Sequence, residues 1–422
     1  MHDIRFIREH PDLLRMDLAK RGDKEKSRWI DEILALDKEY RALLQKTETL
    51  RQRRNTLSKE INEMKKSGKD SSSLLSEAKE IPEQLKAADE KSCLLQARIR
   101  DMQMRLPNIL HESVPVGTGE EGNVAVKECG KRKNFAFPLL GHGELLEKKG
   151  QVNFQKAADV SGSGFYYLLD KAALLDFALQ KYALDILMKK GFIIVEPPLM
   201  IRKGSYEGVT DLADFENVMY KIQDDDLYLI ATSEHAIGVM HSGECFSKSD
   251  LPRKYAGISP CFRREIGSHG VDNRGLFRVH QFNKIEQFVF STPDESWKIH
   301  EELLANAEEI FASLELPYRV ISICTGDIGT VAAKKYDIEV WMPREKKYRE
   351  VVSCSNCTAY QATRLNIKYQ KDTSKEYVHT LNSTAIATSR VIRAIAENFQ
   401  EANGTIIIPK VLHPYMNGIQ KI

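Results

Sequence analysis

From Trp29 onward, apolar residues return at alternating steps of four and three: Trp29, Ile33, Leu36, Tyr40, Leu43, Thr47, Leu50, Arg54, Leu57, Ile61 and Met64, with only Thr47 and Arg54 polar. The pattern breaks at Lys65-Lys66-Ser67-Gly68-Lys69-Asp70-Ser71. It resumes at Leu74, Ala78, Ile81, Leu85, Ala88, Ser92, Leu95, Ile99, Met102 and Leu106. Two matched heptad helices joined by one tight turn predict an antiparallel coiled-coil hairpin over about residues 27–106. Each arm would be on the order of 50 Å long. Pro82 should kink the second helix or mark an irregular first turn. Ahead of the coil, one short amphipathic helix is interrupted at His10-Pro11 and stopped by Gly22.

After Leu106-Pro107-Asn108-Ile109 the heptads end, and Val114-Pro115-Val116-Gly117-Thr118-Gly119 reads as a linker. The chain thus divides into an arm, 1–110, and a second domain, 111–422. In the latter, a helix from Ala172 to Lys190 is followed by a strand, Phe192 to Val195, stopped by Pro197-Pro198. Leu227 to Ile230 is a buried strand entering Ala231-Thr232-Ser233-Glu234, where Thr232 or Ser233 would serve as a helix N-cap. An amphipathic helix runs from Ile299 to Leu314, and a last one through Val391, Ile395 and Phe399 is ended by Gly404.

The stretch Pro260–Phe290 has two alternating halves joined by a polar, glycine-rich turn (Gly267, Ser268, Gly270, Asp272, Asn273, Gly275), which predicts an antiparallel hairpin. Alternation places Arg263 and Glu265 on one face of its first strand, and Phe282 and Glu286 on one face of its second. Such charges can simply pair on a solvated face. They also suit chemistry: arginine a phosphate, the aromatic a planar base, the carboxylates amino or hydroxyl donors.

At 422 residues the chain can bury a substantial core, and its net charge of +2 means that any polyanion site must be local. No apolar run is long enough to span a bilayer, and the opening MHDIRFIREHPDLLR has no signal-peptide core, so no membrane partner is expected. Seven scattered cysteines suit reduced thiols in a cytoplasmic protein, and Cys354-x-x-Cys357 lacks a second ligand pair, so zinc is not expected. Charge does change the picture of the arm. From Lys38 to Lys69 there are ten Lys or Arg against four acids, whereas Leu74 to Leu106 carries six of each. A one-sidedly basic rod suits a nucleic-acid backbone, although heptads more often serve dimerisation. Arg41, Lys46, Arg51, Arg53, Arg54, Lys59, Lys65 and Lys66 are the candidates.

Phe262-Arg263-Arg264-Glu265, a short loop, then Gly275-Leu276-Phe277-Arg278-Val279-His280-Gln281-Phe282 resembles motif 2 of the class II aminoacyl-tRNA synthetases. Within that class it is similar to the seryl family, of bacterial type. Lys190 to Met200 resembles motif 1, with Pro198 at the family's proline; His379 to Arg390 resembles motif 3, with Arg390 as its arginine. Leu-Pro-Asn-Ile at 106–109 and Val160 to Tyr166 resemble the same family, as do Cys324-Thr325-Gly326-Asp327 and Ala332 to Trp341, for which a structural role is expected. Motif 3 departs from the family form. Ser383-Thr384-Ala385 replaces Gly-Ser-Gly, and Ser389 replaces the glycine before the arginine, setting a Cβ where the family's backbone approaches ATP.

The resemblance implies an α+β fold: an N-terminal antiparallel α-helical coiled-coil hairpin, then a class II antiparallel β-sheet catalytic domain flanked by helices. It implies ATP-dependent attachment of L-serine to tRNA(Ser), and to tRNA(Sec), through a seryl-adenylate, by a homodimer whose arm grips the tRNA. Residue by residue, it implies serine binding by Thr232, Ser233, Glu234, Arg263, Glu286 and Thr384. ATP would meet Arg263, Arg264, Glu265, Val279, Phe282, Glu350, Val351, Val352, Ser353 and Arg390, with Arg263 and Arg390 catalytic and Mg²⁺ on Glu350 and Ser353. Those two are three apart, so the strand must bend, bulge or end between them. Other readings are a synthetase-like binder without catalysis, a structural coiled-coil protein, and a threonyl or prolyl enzyme. The first has no need of Arg263, Glu286, Glu350 and Arg390 together, and the second leaves the last three hundred residues without a purpose. The long hairpin and the Thr232/Glu286/Thr384 set disfavour the third.

Overall fold

A computed structural model describes residues 1–210, 216–265 and 275–422, as two compact units, Met1–Leu106 and Pro107–Ile422. The turn residues Gly267, Ser268, Gly270, Asp272 and Asn273 lie outside the described residues.

In the first unit, α1 (Ile4–Glu9) and α2 (Pro11–Lys20) precede two long helices, α3 (Lys24–Lys66) and α4 (Ser72–Arg105). Pro11 opens α2, where a missing N–H costs nothing, and the Asp23 side chain caps α3 by accepting from the Lys26 N–H at 2.9 Å. Leu57, Ile81 and Leu85 pack in the seam with Leu50 and Leu74. Pro82 sits in the third turn of α4, which runs unbroken through it. Near its start α3 buries more than the heptad seam. Ile30 and Asp37 are also covered, and Asp37 binds Arg8 of α1 at 3.3 Å and Arg41 at 2.9 Å.

The second unit is built on one eight-stranded sheet. Its strands are β1 (Val124–Cys129), β2 (Ile193–Val195), β3 (Arg253–Phe262), β4 (Gln281–Ser291), β5 (Tyr318–Ser322), β6 (Lys334–Met342), β7 (Lys347–Asn356) and β8 (His379–Ala387). Their spatial order is β1-β5-β6-β7-β8-β4-β3-β2. Every pairing is antiparallel except the edge pair β2–β3. The helices that bear on it are α5 (His142–Lys148), α6 (Asp170–Lys189), α7 (Ser233–Val239), α8 (Ser296–Ser313) and α9 (Thr388–Asn398). Leu175 and Leu179 of α6, Leu303 and Ile310 of α8, and Val391 and Ile395 of α9 bury their apolar stripes against Ile285, Val289, Ile338, Val352, Leu381 and Ile386 of the sheet. Alternating neighbours of those strand residues point the other way, Lys284, Glu286, Ser353 and Asn382 among them. That second face carries the site.

The segment Cys324–Asp327 has the structural role expected of it. Thr325 donates its hydroxyl to the Gly117 carbonyl at 2.9 Å, and Asp327 accepts from the Asn123 amide at 2.8 Å, which fastens the start of the unit to β5.

Candidate active site

Two strand irregularities shape this face. Ile338 pairs with Val352, yet its neighbour Glu339 pairs with Glu350, so Val351 is an extra residue in β7. The bulge turns Glu350 and Ser353 to the same side, as their spacing requires. In β8, Thr384 lies opposite Glu286 and Ile386 opposite Ile285, which leaves Ala385 as a second extra residue. Ser383-Thr384-Ala385 thus sits at a bulge, with Thr384 directed at Glu286. Its hydroxyl donates to Glu286 Oε2 at 3.2 Å.

A cavity of about 540 Å³ opens over these strands. Thr232, Glu234, Arg263, Glu265, Phe282, Glu286, Glu350, Val351, Ser353, Thr384 and Arg390 line it. Four expected residues do not. Ser233 is buried inside α7 against Gly257, Val279 packs behind Phe282 with Cys261 and Ala387, Val352 belongs to the core, and Arg264 lies off the wall. The strand-face argument for Arg263 and Glu265 needs correction. β3 ends at Phe262, and Glu265 has a φ of 45°, so both residues reach the cavity from irregular chain. The Arg263 guanidinium lies 5.3 Å from the centroid of the Phe282 ring, within cation–π range.

At one end of the cavity Thr232 caps α7, its hydroxyl oxygen accepting from the Glu234 N–H at 3.3 Å. Glu234 Oε1 accepts from Asn382 at 3.1 Å and Gln361 at 3.3 Å. Burial, and then the charge of Glu286, push the Glu234 carboxyl up to about 7. Glu286 itself is 1 % exposed and binds Lys284 at 2.5 Å. Lys284 was missed in the sequence although the signal was present, because it shares the alternating face of Phe282 and Glu286.

At the other end, Arg390 donates to the Glu350 carbonyl at 3.0 Å and stands 3.4 Å from its carboxylate. Burial would raise the Glu350 carboxyl, but Arg390, Lys335 and Arg263 outweigh it and hold the group below its ordinary value. Asp337, opposite Ser353 in the register, does not itself line the cavity; its Oδ1 has no hydrogen bond, its Oδ2 lies 3.4 Å from Lys335, and burial pushes its carboxyl up to about 7. Among the described residues no three His, Cys, Asp or Glu side chains form a metal cluster. The Glu350 carboxylate and the Ser353 hydroxyl are nonetheless hard oxygen donors on the cavity wall that suit Mg²⁺ held jointly with phosphate oxygens. Ser389 is buried in the first turn of α9, in helical backbone that any residue adopts, and it does not line the cavity.

The arm candidates divide by what they already bind. Arg53 is held by Glu77 at 2.7 Å and Glu60 at 3.2 Å, Arg41 by Asp37, and Arg51 stands 3.5 Å from Asp89. Lys46, Arg54, Lys59, Lys65 and Lys66 are exposed.

Residues 1–110 match the family described as "Seryl-tRNA synthetase N-terminal domain", and residues 218–399 match "tRNA synthetase class II core domain (G, H, P, S and T)". A serine–tRNA ligase of Methanocella arvoryzae is 61 % identical over 423 residues, covering 100 % of both chains. One from Thermococcus sibiricus is 51 % identical, covering 98 % of this chain and 96 % of its own. These relatives are archaeal and give no support to a bacterial type. A crystal structure of seryl-tRNA synthetase from Pyrococcus horikoshii complexed with ATP superposes with a TM-score of 0.94 at 49 % identity, covering 100 % of this chain and 99 % of that one. A cytoplasmic serine–tRNA ligase from Naegleria fowleri in complex with AMP gives 0.89 at 34 %, covering 100 % and 98 %.

Proposed function

The chain belongs to the seryl-tRNA synthetase family of class II, and from that premise we propose that its cavity joins L-serine to ATP and passes the seryl group to tRNA(Ser). A serine carboxylate oxygen attacks the α-phosphorus, the bond to pyrophosphate breaks, and seryl-adenylate remains. A hydroxyl of the tRNA's terminal ribose then attacks the seryl carbonyl and AMP leaves. The observation that carries this reading is the pairing of Glu286 with Thr384, a buried carboxylate and hydroxyl facing each other across two strands. That pair is a recognition element for a small hydroxyl.

In this reading Glu234 and Thr232 hold the serine ammonium, and Glu286 and Thr384 hold the side-chain hydroxyl. Arg263 bridges the serine carboxylate and the α-phosphate. Phe282 stacks on the adenine, Glu265 accepts from its amino group, and Arg390 holds the γ-phosphate. Glu350 and Ser353, beside Asp337, would hold Mg²⁺, which when bound supplies charge neutralisation at the phosphates. The residues' own work is alignment and charge stabilisation more than proton transfer. Arg263→Lys keeps the charge and loses the planar fork, so serine-dependent pyrophosphate exchange should fall about a hundredfold with the fold intact. Exchange within threefold of wild type would remove Arg263 from this role.

Glu234 gives a pH signature. With its carboxyl pushed up to about 7, the free enzyme loses the negative charge that receives the ammonium as pH falls through that value. We expect kcat/KM for serine to decline below an apparent pKa near 7, and Glu234→Gln to be poor but flat across the range. A wild-type profile that is level between about pH 6 and 8 would contradict the assignment.

Basic residues on one helix of the arm support tRNA(Ser) as the polyanion partner, with tRNA(Sec) a second substrate for the same grip. A homodimer is proposed from exposed apolar side chains on α6 and at the sheet's β2 edge, Phe177, Met188, Ile193 and Ile194 among them. No described helix is long and apolar enough to cross a membrane. The proposed compartment is the cytoplasm.

A further inference from the structure

His142, at the start of α5 and outside all three motifs, is joined to the nucleotide end of the cavity by a buried chain. Its Nε2 accepts the Leu276 N–H at 2.9 Å, and its Nδ1 lies 3.2 Å from Glu397 Oε1. An Nε2 that accepts leaves the proton on Nδ1, so the ring is neutral and donates to Glu397. The same Glu397 oxygen receives Arg393 Nε at 3.0 Å, and Arg393 continues to Glu345, which binds Arg349 at 2.6 Å. Gly275 is shaped around the imidazole: its φ is 142°, and a Cβ there would fall 2.1 Å from His142 Nε2. The next residue but one is Phe277, whose ring is 4.7 Å from the Arg393 guanidinium and 5.0 Å from that of Arg390. Phe277 is therefore the seat on which Arg390 rests, and His142 fixes the backbone that carries it.

We propose that His142 is a positioning residue for ATP: by clamping Leu276 and Phe277 between α5 and α9 it sets the place of Arg390, and so the affinity for the nucleotide's terminal phosphate. The inference rests on the reading of the cavity as an ATP site. In that reading serine is held by Glu234 and Glu286, which take no part in the chain from His142 to Arg390, so the effect is selective for ATP.

The test measures ATP binding by calorimetry and serine-dependent exchange on the full chain. His142→Phe fills the ring's volume and removes both hydrogen bonds. It is expected to weaken ATP about tenfold, with the KM for serine within twofold. His142→Gln restores an acceptor near Nε2 and should recover most of the loss. Phe277→Leu should weaken ATP similarly, and the double variant His142→Phe/Phe277→Leu should be no weaker than Phe277→Leu alone, because both act through one ring. If His142→Phe does not fold, Glu397→Gln, which weakens the hydrogen bonds received from His142 Nδ1 and Arg393 Nε, should show a smaller loss that is selective for ATP in the same way. Unchanged ATP affinity in the folded variants, equal loss for serine and ATP, or losses that multiply in the double variant would each overturn the inference. If wild type fails to bind ATP, the active-site reading falls and the inference with it; if wild type binds and exchanges but the variants match it, only the inference falls.

Discussion

Glu286→Ala should abolish serine activation, lowering kcat/KM for serine about 10⁴-fold while ATP binding changes little. A site built to hydrogen-bond a substrate hydroxyl rejects the analogue that lacks it by 10⁴ or more, because its own polar groups are left unpaired. Removing the site's carboxylate incurs a penalty of the same kind, since the serine hydroxyl then loses its charged acceptor and keeps only the Thr384 hydroxyl. Two effects must be kept apart. Lys284 is 6 % exposed and pairs with Glu286 at 2.5 Å, so alanine also strands a buried cation, at a cost of about 3–5 kcal/mol in stability. Glu286→Gln keeps the volume and a neutral acceptor for Thr384 and Lys284 but removes the charge; it should be less destabilised than the alanine variant and still lose most activity. A melting curve on each variant separates lost recognition from lost fold. Wild-type exchange kinetics in folded Glu286→Gln and Glu286→Ala would remove Glu286 from the serine pocket.

Reversing the exposed charges of the arm should have the second-largest effect, and on a different step. With Lys46, Arg54, Lys59, Lys65 and Lys66 all changed to Glu, the KM for tRNA in aminoacylation should rise on the order of a thousandfold, with the salt dependence of binding much shallower. Exchange without tRNA should be unaltered, because these residues lie in the first compact unit and the cavity's walls belong to the second. Arg53→Ala serves as the contrast. Its guanidinium is already committed to Glu77 and Glu60, so it should alter the melting of the hairpin more than the KM for tRNA. Unchanged tRNA charging in the fivefold variant would assign the arm another task.

Much of the fold was legible because its periods are local. Heptads from Trp29 to Leu106 announce two helices, and alternation from Gln281 to Ser291 announces β4. What periodicity cannot display is a break in register. The three-residue spacing of Glu350 and Ser353 demanded an irregularity, but its position at Val351 depends on how β6 pairs, which is a contact between distant residues. The bulge at Ala385 had no such warning. Arg263 and Glu265 were placed on the right surface for an incorrect reason, since the strand stops before either of them. Arg53 looked like its basic neighbours until its acidic partner on α4 came into view. His142 and Asp337 were invisible as site-related residues because their significance lies in what faces them: Gly275 and Glu397 for one, Ser353 for the other.

The central claim, that this cavity makes seryl-adenylate, is tested most directly by pyrophosphate–ATP exchange without tRNA, offering serine, alanine, threonine and cysteine separately. The account predicts rapid exchange with serine, and rates lower by orders of magnitude with alanine, which leaves Glu286 and Thr384 unpaired, and with threonine, whose added methyl crowds them. No exchange with any of the four from folded protein, or equal exchange with alanine and serine, would contradict it.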